Sequence, residues 1–106
     1  MADWSGTLTF SEDSLQALDA FIHHPDTRQT DIFQQGTLAV DGQVHLDWII
    51  KHDIFEGVVM HVSLMGDDGT RFLGGDGAVL TEAQEALRTF DVNYEGTTYH
   101  LSVVKE

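Results

Sequence analysis

Apolar residues recur along this chain mostly at every second position, and the spacing widens to that of a helix in only two places. In Trp4–Phe10 the apolar Trp4, Leu8 and Phe10 alternate with Ser5, Thr7 and Thr9, which predicts a first strand with one buried face. The period then changes. Over Ser11–His24, Leu15, Leu18, Phe21 and Ile22 fall on one helical stripe, and Ser11 suits the N-cap. Glu12 and Asp13 place negative charge in the first turn, and Pro25 stops the helix. Alternation resumes in Ile32–Val40 and Gln43–Lys51. A three-residue loop, Val40–Gly42, pairing Leu38 with Val44 would keep Ile32, Leu38, Val44, Leu46, Trp48 and Ile50 on one face. In the next hairpin, matching Val44 with Val62 and Leu46 with Met60 keeps the apolar phases together and sets His45 opposite His61.

The second half reads less regularly. Gly66–Gly69 is expected to turn, Thr70–Leu73 to form a short strand, and Gly74–Leu80 to be a loose glycine-rich connection. Thr81–Phe90 has helical spacing at Ala83, Ala86, Leu87 and Phe90, with Thr81 and Gln84 at capping-box distance. The last hairpin turns at Glu95-Gly96, pairing Val92 with Tyr99 and Phe90 with Leu101. Together these elements predict an α+β domain: a mostly antiparallel sheet of about six to seven strands, two helices packed on one face, and the other face wet. The opening order of strand, helix and antiparallel meander resembles the cystatin-like arrangement, in which a curved sheet grips a helix. The cystatin inhibitory motif is not in the sequence.

With 106 residues the chain is expected to form a single domain, 1–106, and to bury a core without staples. Cysteine is absent, which excludes disulfides and thiolate chemistry. No apolar run nears the roughly 20 residues of a membrane span, and Met1–Phe10 has no signal-peptide pattern. A soluble, cytoplasmic protein is therefore the expectation.

Charge changes the picture most. Eighteen acidic residues against five Lys and Arg give a formal net charge of −13. Arg28, Lys51, Arg71, Arg88 and Lys105 are scattered singly, so the chain lacks the basic cluster that would bind a phosphate backbone or an anionic membrane. A field of this sign attracts cationic partners. The plainer reading of the same charge is solubility, or adaptation to high salt.

Candidate chemistry is sparse. In the assumed register His45, Asp47 and His61 share the outer face of the sheet, with His100 in the outward phase of the last strand, and two imidazoles and a carboxylate suit a transition metal. Outward histidines among Thr, Ser and Gln also occur simply as solvated residues. Asp19 and His23, at i and i+4, suit a surface charge pair. Gly66–Gly77 lacks the ligand spacing of an EF-hand and the Gly-Lys-Ser/Thr of a P-loop. No serine sits in a nucleophile elbow, so neither an enzyme nor a cofactor is expected.

The acids Glu12, Asp13, Asp19, Asp26 and Asp31 fall on the first helix and the loop after it; Asp67, Asp68, Asp76, Glu82 and Glu85 fall on the later turn and second helix. These ten are the candidate partner-binding residues, with Phe33, Phe55 and Tyr94 as exposed aromatic anchors. The function expected is a small inhibitor or neutraliser of a basic protein, such as a nucleic-acid-handling enzyme or toxin, in the manner of immunity proteins, antitoxins or phage anti-defence proteins. Two alternatives are a ligand-binding domain using His45, Asp47 and His61, and an oligomer pairing through an outer face that carries Ile49, Val59 and Val104.

Overall fold

The computed structural model describes residues 3–24 and 31–106. Strand β1 (Trp4–Phe10) leads into helix α1 (Glu12–His23), followed by β2 (Ile32–Ala39), β3 (Val44–Asp53), β4 (Gly57–Gly66), β5 (Arg71–Val79), β6 (Thr89–Tyr94) and β7 (Thr97–Lys105). The strands form two sheets. One is a three-stranded sheet ordered β1-β7-β6, with β1 parallel to β7; the other is a four-stranded antiparallel meander, β2-β3-β4-β5. This corrects the predicted single sheet of six to seven strands with two helices, and with it the cystatin-like arrangement.

The missing second helix has a local cause. Thr81–Phe90 does begin with a capped turn, but Glu82, not Thr81, is the N-cap, and Glu85 closes the box from the third position. Glu85 accepts hydrogen bonds from the amides of Thr81 (3.0 Å) and Glu82 (2.8 Å). The result is one 3-10 turn, Ala83–Ala86, because Thr89 already pairs with Ser102 and Phe90 with Leu101. The strand takes residues that a longer helix would need, and tertiary pairing overrides helical spacing here.

Glycine-rich Gly74–Leu80 is not a connection. Most of it belongs to β5, whose Gly74, Gly75 and Gly77 pair with Leu64, Ser63 and His61. Two hairpin registers also differ from expectation. Leu38 pairs with Leu46, so the β2–β3 loop spans Val40–Gln43, where the Asp41 carboxylate accepts from the amides of Gln43 (2.7 Å) and Val44 (3.0 Å). In β3–β4, Val44 pairs with Gly66 and Leu46 with Leu64, a shift of the whole ladder toward a later turn. There Asp53 accepts from the amides of Phe55 (2.8 Å) and Glu56 (2.9 Å), and Gly57 supplies a φ of 93°. Both shifts preserve the face of every side chain, so hydrophobic phase alone does not select between registers.

Other expectations hold in the structure. Ser11 caps α1, accepting from the Ser14 amide at 3.1 Å, and Leu18 is the buried centre of the predicted stripe. The Glu95-Gly96 turn, with φ of 49° and 81°, sets Val92 opposite Tyr99 and Phe90 opposite Leu101 as predicted.

Both sheets share one core. Leu46, Ile50, Met60 and Leu64 of the meander meet Phe90, Leu101 and Val103 of the smaller sheet, and Phe10 meets Trp48 edge-on at 6.1 Å. The sheets also approach edge to edge where β5 passes β6. Asp76 closes that seam by accepting from the Asp91 amide at 3.0 Å, so a side chain replaces a ladder bond.

Candidate functional site

The inner face of the four-stranded sheet is spent on the core, which leaves its outer face for anything else. The pairing registers turn that face into rows. Ile32, Lys51, Val59 and Val79 form the first row, across β2, β3, β4 and β5. Gln35, Ile49, His61 and Gly77 form the second; Thr37, Asp47, Ser63 and Gly75 the third. Ala39, His45, Met65 and Phe72 complete the face, where Gly69 of the following turn approaches the His45 ring. The middle is polar, while the first row and the β5 edge are largely apolar.

Along β5 the two glycines make a trough. A Cβ added to Gly77 would lie 2.7 Å from Nδ1 of His61, and one added to Gly75 would lie 3.3 Å from Cζ of Phe72. The imidazole and the phenyl ring thus lie over bare backbone, which only glycine allows. The trough, of about 660 Å³, is walled by Val59, Phe72 and Val79 and has Glu56 and Asp76 as its carboxylates. A second hollow of about 460 Å³ lies on the other side of His61, over Gly36, Thr37 and Asp47. Phe72 is 63% exposed, and Phe55, held out by the Asp53 turn, is 90% exposed. The two backbone amides at that turn hold the Asp53 carboxyl below the usual carboxylate range.

The structure separates His45 from His61. His45 stands opposite Met65 and His61 opposite Ile49, two rows apart, so the predicted cross-strand imidazole pair does not form. Asp47 instead accepts from the Thr37 hydroxyl (2.8 Å) and lies 3.2 Å from Nε2 of His45. Among the described residues no group of three or more His, Asp or Glu side chains is placed to hold a metal ion. On the other sheet, His100 lies 2.6 Å from Asp91 and 3.7 Å from Asp3. The hydrogen bond to Asp91 pushes the imidazole pKa above its ordinary 6.5, with Asp3 adding to it.

The ten candidate acids fall into separate places. Glu12 and Asp13 lie in the first turn of α1, Asp76 lies within β5, and Asp19, Glu82 and Glu85 gather where α1 meets the Ala83–Ala86 turn. Asp67 and Asp68 sit at the far end of β5, roughly 25 Å away given about 3.3 Å per strand residue. Asp31 precedes β2, where its carbonyl accepts from the His52 amide at 2.8 Å, and Asp26 lies outside the described residues. Several already have partners: Glu12 pairs with Lys105, Asp67 lies 3.9 Å from Arg71, and Asp19 accepts from the Ala83 amide at 2.8 Å. Glu12 is held below its ordinary pKa by Lys105.

Of the three predicted aromatic anchors, only Phe55 stands exposed. A bulge between Ile32 and Gln34 turns Phe33 inward against Phe21, ring centroids 5.4 Å apart, and Ile32 outward instead. Tyr94 packs against the core. Sequence reasoning missed Phe72 because it ended the strand at Leu73, and strict alternation back from Val79 would put Leu73, not Phe72, on the open face. The register shift opposite Leu64 and Met65 reverses the phase and turns Phe72 outward.

Known protein families, curated proteins and solved structures contain no match to this chain. Among the described residues no helix is long and apolar enough to cross a membrane.

Proposed function

We propose that this chain is a small binding protein that neutralises a basic protein partner by electrostatic attraction and steric cover. The observation that carries the reading is uncompensated charge. Eighteen carboxylates face five Lys and Arg, and among the described residues only Glu12–Lys105 and Asp67–Arg71 join a carboxylate to one of these cations. The remaining negative field reaches outward, where it speeds and orients encounter with a cationic surface. A binding role rather than a catalytic one also suits the best-connected polar cluster. In Thr37–Asp47–His45 the carboxylate stands between hydroxyl and imidazole, so the imidazole does not face the hydroxyl as it would in a nucleophile–histidine pair. Nucleic-acid-handling enzymes and toxins are the fitting partner class, because their working surfaces are basic.

The test is affinity capture at low salt with a salt gradient, followed by titration of whatever elutes against the pure protein. One basic protein is expected, with 1:1 stoichiometry and an affinity that falls at least tenfold between about 50 and 300 mM salt. A smear of unrelated cations, or a complex indifferent to salt, would overturn the reading.

A further inference from the structure

If the chain does bind a basic partner, the acids by themselves do not say where, since they lie at both ends of the molecule. The geometry points to the trough along β5 on the outer face of the four-stranded sheet, and to an arginine side chain from an extended segment of the partner as its occupant.

Three observations converge on this surface. The first is shape. Gly77 and Gly75 let the His61 and Phe72 rings lie down on the backbone, and the trough beside them, about 660 Å³, falls in the range of ligand pockets, about 300–1,000 Å³. The second is chemistry. Phe72 presents an exposed ring that a planar guanidinium can stack on, exposed Val79 offers apolar wall to its aliphatic stem, and Glu56 supplies negative charge to its head, while the Asp76 carboxylate is held by the Gly77 and Asp91 amides. Lysine has the stem but not the flat delocalised cation, so arginine is the better fit.

The third is size. Four strands about 4.8 Å apart, and three two-residue steps along them, make a face of roughly 300 Å². A stable interface buries about 800 Å² on each partner. A second copy of the chain would thus gain too little area, and it would bring another formal charge of −13 against the first. A short basic segment meets neither obstacle.

The experiment is a low-salt titration of the ¹⁵N-labelled chain with a blocked peptide, acetyl-Gly-Leu-Arg-Leu-Arg-Gly-amide, and with its lysine counterpart. The expected result is that the Gly75, Gly77 and His61 amides shift most, that the lysine peptide binds more weakly, and that Phe72→Ala and Glu56→Gln each weaken the arginine peptide at least fivefold. Both substitutions are at exposed side chains, and an unchanged spectrum elsewhere will show that the variants fold. Shifts confined to α1 and Ala83–Ala86 would overturn the trough while leaving the basic-partner reading intact. So would equal affinity in the Phe72→Ala variant, no binding of the peptide, or shifts that track protein concentration without peptide, the mark of a second copy. Failure of the basic-partner reading is recognised separately, by absence of any salt-sensitive complex in the capture experiment.

Discussion

Single positions in this chain are decided by what lies across from them. Gly36 faces Trp48: a Cβ there would lie 2.7 Å from Nε1 and 2.9 Å from the neighbouring ring carbons. Trp48 cannot step aside, because it is nearly buried and its ring meets Phe10 edge-on. Gly36→Ala is therefore expected to cost about 1–3 kcal/mol, the range for overpacking a well-filled core, seen as a lower urea midpoint with an unchanged slope. His100 makes a prediction of a different kind. Asp91, then Asp3, favour its charged form, so its folded pKa stands above the unfolded 6.5. The stabilisation it brings is fully present below about pH 6.5 and is lost as pH rises through the raised folded value. The wild-type advantage in Tm over His100→Gln should accordingly be larger near pH 5.5 than near pH 9. An advantage independent of pH would show that the two carboxylates do not act on the imidazole. Titration of the His100 ring protons by NMR checks the direction separately.

At the scale of elements, α1 and the 3-10 turn are joined by one side chain. Asp19 reaches across to accept from the Ala83 amide, and Ala83 is only 2% exposed. Removing the acceptor strands a donor in a place water barely reaches, so Asp19→Ala should cost about 1–3 kcal/mol. Asp13, exposed nearly two turns earlier on the same helix, is the control, and Asp13→Asn should change stability by less than about 0.5 kcal/mol. Thermal melts of the two variants will separate an acid that holds the fold from one that only adds charge. The contrast also shows how far sequence can be read. Both acids look alike along the chain, since the distinction comes from a residue 64 positions away. Local signals were legible where the answer was local: the Ser11 cap, the α1 stripe and the Glu95-Gly96 turn all come from neighbours in sequence. The β3–β4 register was not, because sliding by an even number of residues keeps every face correct and only the Asp53 turn breaks the tie. β5 was hidden for a related reason. Its glycines lower strand propensity, but β4 supplies the ladder, and the rings of His61 and Phe72 need the space. The open face could be anticipated from His45, Asp47 and His61; its trough could not, because it depends on that strand.

For the whole molecule the decisive quantity is a net charge of −13 held in an envelope of 43 × 29 × 18 Å. At about 10 mM salt the screening length is about 30 Å, comparable to the molecule, so carboxylates at opposite ends repel one another. At about 150 mM it is about 8 Å, and only near neighbours still interact. Folding brings the charges closer than the unfolded chain does, so screening must favour the folded state. The melting temperature is therefore expected to rise by roughly 3–8 °C between these two concentrations of KCl, about 1 kcal/mol for a domain of this size. What happens beyond that range separates the two explanations of the acidity. Screening is nearly complete by about 0.3 M, so a domain whose charge serves a partner should show a plateau there. A surface adapted to high salt should go on gaining stability into the molar range. The measurement needs KCl rather than sulfate, because excluded anions strengthen apolar burial in any protein and would imitate the second outcome. A continued climb in KCl would remove the main support for a basic partner, since the same carboxylates would then be accounted for by the solvent. A plateau would leave the uncompensated field without a solvent explanation, and would make the complex with a cationic protein the next thing to isolate.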